Sequence, residues 1–158
     1  MRAAVVVFLM GLASLLGVAE RGKLAFVGTA LAGDHNNKCT LASLNGKYGL
    51  DGQGFAPLPI PNPPPGLFPE VDIGLFTADG KGNLVGSVTI SLNGVIFHNT
   101  ITGSYIVNVD CTATVTIVDN LNETFRHEGV IFDGGRVFRF IVTDQGQVIA
   151  RVARSLSD

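Results

Sequence analysis

Apolar and polar residues alternate between Leu84 and Leu92: Leu84, Val88, Ile90 and Leu92 share one parity, and Ser87, Thr89 and Ser91 share the other. A period of two is that of a strand with one buried face. Asn93-Gly94 follows, a pair suited to the positive φ values of a two-residue hairpin turn. That turn sets Leu92 against Val95, Ile90 against Phe97 and Gly86 against Ile101. Apolar residues then meet across the ladder, so the register supports itself.

The same test applies to the remaining connections. A four-residue loop, Asp79–Gly82, sets Ile73 against Val88 and Val71 against Ile90. A loop over 108–112 sets Val107 against Ala113 and Tyr105 against Val115, and one over 119–123 sets Ile117 against Phe125 and Val115 against His127. Gly134-Gly135 sets Ile131 against Phe138. A three-residue loop, Asp144–Gly146, sets Val142 against Val148, Phe140 against Ala150 and Phe138 against Val152. With the run from Leu44 to Phe55, the pattern predicts eight strands over 44–55, 70–77, 83–92, 95–107, 112–118, 124–133, 136–143 and 147–154.

No stretch of 33–158 has a helical period. Short links make neighbours in sequence neighbours in space, which predicts an all-β fold: a single eight-stranded antiparallel up-and-down barrel. A two-sheet sandwich is the alternative, and it needs longer crossovers than the sequence offers. The one long connection is the Pro-rich loop 56–69, which holds every proline of the chain. Proline lacks an N–H and fixes φ, so this segment is expected to arch across one mouth as a stiff lid, the alternatives being a surface loop that plugs the barrel end or a proline-rich ligand for a partner domain. It carries Leu58, Ile60, Leu67 and Phe68.

On the predicted inner face lie Leu44, Leu50, Val71, Ile73, Leu75, Val88, Ile90, Leu92, Phe97, Ile101, Val115, Ile117, Phe125, Ile131, Phe138, Phe140, Val142 and Val148. Four polar residues share it: Tyr48, Asn99, Tyr105 and His127. An eight-stranded barrel is filled by side chains or holds one small ligand. For the hollow case the expected ligand-binding residues are Tyr48, Phe97, Asn99, Tyr105, Phe125, His127, Phe138 and Phe140. His127, Tyr105 and Tyr48 are the candidates for acid–base or polarising chemistry. For the filled case, Tyr105 and His127 satisfy each other or backbone groups.

The outer face of strands three to five is rich in Ser and Thr. That of strands six to eight reads Val130, Phe132, Val137, Ile141 and Ile149 around Glu128, Arg139 and Arg151. Such an apolar patch with embedded charge predicts an interface, covered by the N-terminal or proline segment or, in a homo-oligomer, by a second copy of the chain.

Met1-Arg2 precedes an uncharged run from Ala3 to Ala19, and a second apolar run ends at Ala30-Leu31-Ala32. This reads as a signal peptide over 1–32, with cleavage after 19 as a second possibility and an uncleaved anchor as the alternative. The barrel domain is then 33–158, secreted or periplasmic. In that setting Cys39 and Cys111 form the natural disulfide, the alternative being two buried thiols. No zinc spacing surrounds them, no phosphate-loop pattern is present, and no cofactor is expected. Acidic residues outnumber basic ones without a basic cluster, which argues against nucleic acid as a partner.

The stretches LNGKYGLDGQGF, FTADGKGNLVGSVTISLNG, TGSYIVNVDCTATVTI and VFRFIVTDQGQVIARVA resemble a group of small secreted bacterial barrel proteins. These are related in architecture to the allene oxide cyclase and dirigent barrels. The resemblance implies a calycin-like barrel that hosts a small hydrophobic molecule, in some members for ring closure. Three functions follow as expectations: ligand binding in the barrel, a cofactor-free cyclase or isomerase, or a structural module with a filled barrel.

Overall fold

The computed structural model describes residues 38–157; the signal peptide expected over 1–32 lies outside them. Eight strands close into one antiparallel barrel in the order β1-β2-β3-β4-β5-β6-β7-β8. They are β1 (Asn45–Ala56), β2 (Phe68–Asp79), β3 (Asn83–Leu92), β4 (Val95–Val107), β5 (Thr112–Asp119), β6 (Thr124–Phe132), β7 (Val137–Val142) and β8 (Val148–Ser155). Closure comes from pairing β1 with β8, for example Leu50 with Ala153, and it leaves no free sheet edge.

Four of the six hairpin registers match the sequence pattern. Leu92 faces Val95, Tyr105 faces Val115, Val115 faces His127, and Ile131 faces Phe138. Asn93 and Gly94 form the expected turn, both at positive φ.

Two registers differ by one residue, which turns a whole strand over. In β2, Asp72 pairs with Ile90 and Gly74 with Val88. The connection is a three-residue loop because Asp79 accepts bonds from the Lys81 and Asn83 backbone N–H groups at 2.7 and 2.9 Å. This cap pins Asp79 opposite Asn83. Val71, Ile73 and Leu75, expected inside, are therefore exposed, Ile73 to 66%. Glu70, Asp72, Phe76 and Ala78 are buried in their place.

In β8, Phe140 pairs with Arg151 and Phe138 with Ala153. Thr143 and Asp144 turn towards β6 instead: Thr143 N–H donates to the Arg126 carbonyl at 2.9 Å, and Asp144 Oδ2 accepts from the Arg126 backbone N–H at 2.6 Å. The loop before β8 lengthens accordingly. Val148, expected inside, is 63% exposed, while Ile149 and Arg151, expected outside, face inward with Ala153.

The two barrel ends are built differently. One is a closed floor, where a 3-10 turn at Leu41–Ser43 enters β1 and the Cys39–Cys111 disulfide ties this turn to the β4–β5 connection. Tyr48 stacks on Phe76 at 5.0 Å between ring centroids and donates to the Gly135 carbonyl at 2.8 Å. Tyr105 donates to the Leu44 carbonyl at 2.7 Å. At the other end Leu58 and Phe68 of the proline segment pack against Leu92, Val142 and Ile149. Ile60 and Leu67 of the same segment are exposed to solvent.

Candidate functional site

The interior is hollow. A cavity of about 600 Å³ lies between the tyrosine floor and the arch of Pro57, Leu58 and Pro59. Its wall is largely aliphatic and aromatic, with Leu50, Val88, Ile90, Phe97, Ile117 and Phe125 on five different strands. Short inward residues make room for it: the positions opposite Val88 and Phe140 across the ladder are Gly74 and Gly129.

Four polar side chains converge on one side of this space. Arg151 on β8 donates from Nε to Asp72 Oδ2 at 2.8 Å and from Nη2 to Glu70 Oε1 at 3.1 Å. Its Nη2 also lies 2.8 Å from Asp72 Oδ2, and its Nη1 lies 3.0 Å from His127 Nε2. β1 separates Arg151 from Asp72, and the guanidinium crosses it over Gly52, their shared partner in the ladder. A Cβ at residue 52 would sit 2.6 Å from both Arg151 Cγ and Asp72 Oδ1, so only glycine leaves that path open.

Guanidinium donates and never accepts, so His127 Nε2 must be the acceptor and the imidazole proton resides on Nδ1. Burial, then the Arg151 charge, lowers the His127 pKa to about 4. Burial acts oppositely on Glu70 and, ahead of the opposing Arg151 charge, raises its pKa above the ordinary carboxylate value. A second polar pair, Asn99 Nδ2 to Asp119 Oδ2 at 2.9 Å, lies towards the open mouth. Asp119 also holds the β5–β6 loop through the Leu121 and Glu123 backbone N–H groups, both at 2.9 Å.

These shifts predict a pH dependence. His127 is neutral in the fold, so its contribution is fully present above its unfolded pKa of 6.5 and is lost as pH falls through about 4. The full span corresponds to about 3 kcal/mol. Glu70 runs the other way, contributing below 4.5 and losing that contribution as pH rises through its raised folded value. Urea unfolding at stepped pH should show the wild-type protein losing about 3 kcal/mol more than a His127→Gln variant between pH 6.5 and 4. Parallel curves would contradict a buried neutral imidazole.

Of the residues expected to bind a ligand, Phe97, Asn99, Tyr105, Phe125, His127, Phe138 and Phe140 border the cavity. Tyr48 lies beneath it, within the floor. Tyr105 and His127 do not meet: the tyrosine hydroxyl is committed to the Leu44 carbonyl and the imidazole to Arg151. Sequence reasoning missed Glu70, Asp72 and Arg151, all hidden by the two inverted registers. Asp79 and Asn83 flanking a Gly-Lys-Gly loop were the signal that would have placed the two acids inside.

Among the described residues no group of three or more His, Cys, Asp and Glu side chains is placed to hold a metal ion, and no helix is long and apolar enough to cross a membrane. No known family model matches the sequence, and no curated relative is found for it. Of what the sequence resemblance implied, the structure shows the closed eight-stranded antiparallel barrel.

Proposed function

We propose that the protein is an exported barrel that binds one small hydrophobic ligand in its interior. The observation that carries this reading is the cavity of about 600 Å³ between floor and proline arch. Ligand sites typically span ~300–1,000 Å³, with an apolar wall and a few convergent polar groups, and this cavity has both. The disulfide supports export, since such bonds persist in oxidising compartments.

Cyclase or isomerase chemistry in the same cavity is the second reading. It rests on the Glu70 carboxyl, which burial biases towards its proton-donating form. The tyrosines are poor candidates because both hydroxyls serve backbone carbonyls. A filled structural barrel fits the cavity least. Self-association is part of the proposal too: Val130, Phe132 and Ile141 remain exposed on β6 and β7, and the inversion of β2 adds Val71 and Ile73 to the apolar exterior.

The test is a fluorescence titration of the purified protein with N-phenyl-1-naphthylamine, an uncharged dye that brightens in apolar surroundings. The expected result is saturable binding at one dye per barrel. Absence of saturable binding to the folded protein would overturn the ligand-binding reading.

A further inference from the structure

The charge arrangement around the cavity says which hydrophobic molecules it should take. Arg151 is the one Lys or Arg bordering the cavity among the described residues, and an inward-facing arginine in an apolar barrel would ordinarily mark a carboxylate site. Here it is already occupied. Nε and Nη2 are directed to Asp72, Nη2 also to Glu70, and Nη1 to His127. The Asp72 side chain is fully buried and that of Glu70 is 6% exposed, so water does not compete for these bonds.

The remaining ionisable groups on the cavity wall are acidic or neutral. Asp119 and Glu123 stand at the mouth, and Glu70 lies deeper. His127 adds no positive charge, because its only ring nitrogen free to accept a proton already faces the guanidinium. An anion entering past Asp119 and Glu123 therefore meets like charge at the mouth and a neutralised arginine inside. Like charges brought together in a desolvated site repel one another strongly. A hydroxyl, carbonyl or amide meets no such penalty and finds Glu70 as a hydrogen-bond partner.

We infer that the barrel selects uncharged amphiphiles carrying one hydrogen-bonding group and rejects carboxylates and other anions of the same shape, with Asp72 as the residue that sets this preference by occupying Arg151. The inference rests on the ligand-binding reading above, and its consequence is specific. Asp72 acts through Arg151, so it is a positioning residue whose removal should change the charge preference of the site.

Two dyes with one skeleton provide the test. N-phenyl-1-naphthylamine is uncharged, and 8-anilinonaphthalene-1-sulfonate is the same anilinonaphthalene bearing a sulfonate. Titrated into the wild-type protein at neutral pH, the uncharged dye should bind at least about ten-fold more tightly, the ratio that corresponds to one like-charge encounter of modest size. In Asp72→Asn, which removes one of the charges that neutralise the guanidinium while keeping a side chain of the same shape, the sulfonate-to-neutral affinity ratio should rise about ten-fold. The wild-type comparison stands on its own should that variant fold poorly. In that event Glu70→Gln, which leaves the Arg151–Asp72 pair intact, should raise the same ratio at pH 8.

Equal affinity for the two dyes in the wild-type protein would overturn the charge selection and leave ligand binding standing. So would an unchanged ratio in a folded Asp72→Asn. Failure of both dyes to bind would overturn the two readings together.

Discussion

Replacing Arg151 with methionine should cost about 3–5 kcal/mol, the loss expected when a buried ion pair is broken from one side. Asp72 has no exposed side-chain surface and directs Oδ2 at Nε and Nη2 of Arg151. Without the guanidinium, Asp72 and Glu70, two residues apart on the same face of β2, are left buried with no cation beside them. Either one takes up a proton or the strands part to admit water. Urea unfolding at neutral pH measures the loss, and combining Arg151→Met with Asp72→Asn and Glu70→Gln should recover most of it, because no unpaired charge then remains. A loss below about 1 kcal/mol, in the range of an exposed pair, would mean that β2 carries Val71, Ile73 and Leu75 inward after all.

Removing the disulfide is the other large effect. Cys39 and Cys111 are 72 residues apart in sequence. In the chain-entropy account a cross-link of that span disfavours the unfolded state by about 4 kcal/mol. Its folded-state role adds locality. The bond anchors the 3-10 turn at Leu41–Ser43, and Leu44 just beyond supplies the carbonyl that Tyr105 uses. The Cys39→Ser/Cys111→Ser protein should thus unfold at lower urea by an amount equal to about 4 kcal/mol, and its floor should be the first region to exchange amide hydrogens. The check is unfolding of oxidised protein beside the double variant. A difference under about 1 kcal/mol would contradict a cross-link that closes so long a loop.

How far the sequence disclosed this barrel depended on whether one parity of each strand was unambiguous. In β3 and β4 the outward positions are mostly Ser and Thr and the inward ones mostly apolar, so the hairpin turn had one sensible register, the one observed. In β2 both parities carry apolar residues: Val71, Ile73 and Leu75 on one, and Phe76 and Ala78, beside Glu70 and Asp72, on the other. In β8 Val148, Ala150 and Val152 alternate with Ile149 and Ala153. Hydrophobicity alone then does not settle the face, and local capping by Asp79 and Asp144 fixes the register instead.

The consequence for the site was large. His127 was legible because β5 and β6 pair as their pattern demands. Its partners were not, because Glu70, Asp72 and Arg151 sit on the two strands whose patterns are degenerate. A charged residue beside valines reads as an outward one until its partners are known, and here the partners come from strands far apart in sequence. Gly52 was equally opaque: the need for a missing Cβ arises only when Arg151 and Asp72 are both in place.

The proposed ligand site lies inside the barrel. A second apolar concavity of about 680 Å³ lies on the exterior, bordered by Phe55, Val71, Ile141 and Val148, and it is the natural competitor for any hydrophobic probe. The most direct measurement compares the affinity of N-phenyl-1-naphthylamine for two variants of the folded protein. Val88→Trp fills the interior, whereas Val71→Lys/Val148→Lys places charge in the outer concavity. Loss of binding in the first, with binding retained in the second, is what the hollow barrel predicts. Retention in the first and loss in the second would place the site on the outer wall and contradict the account.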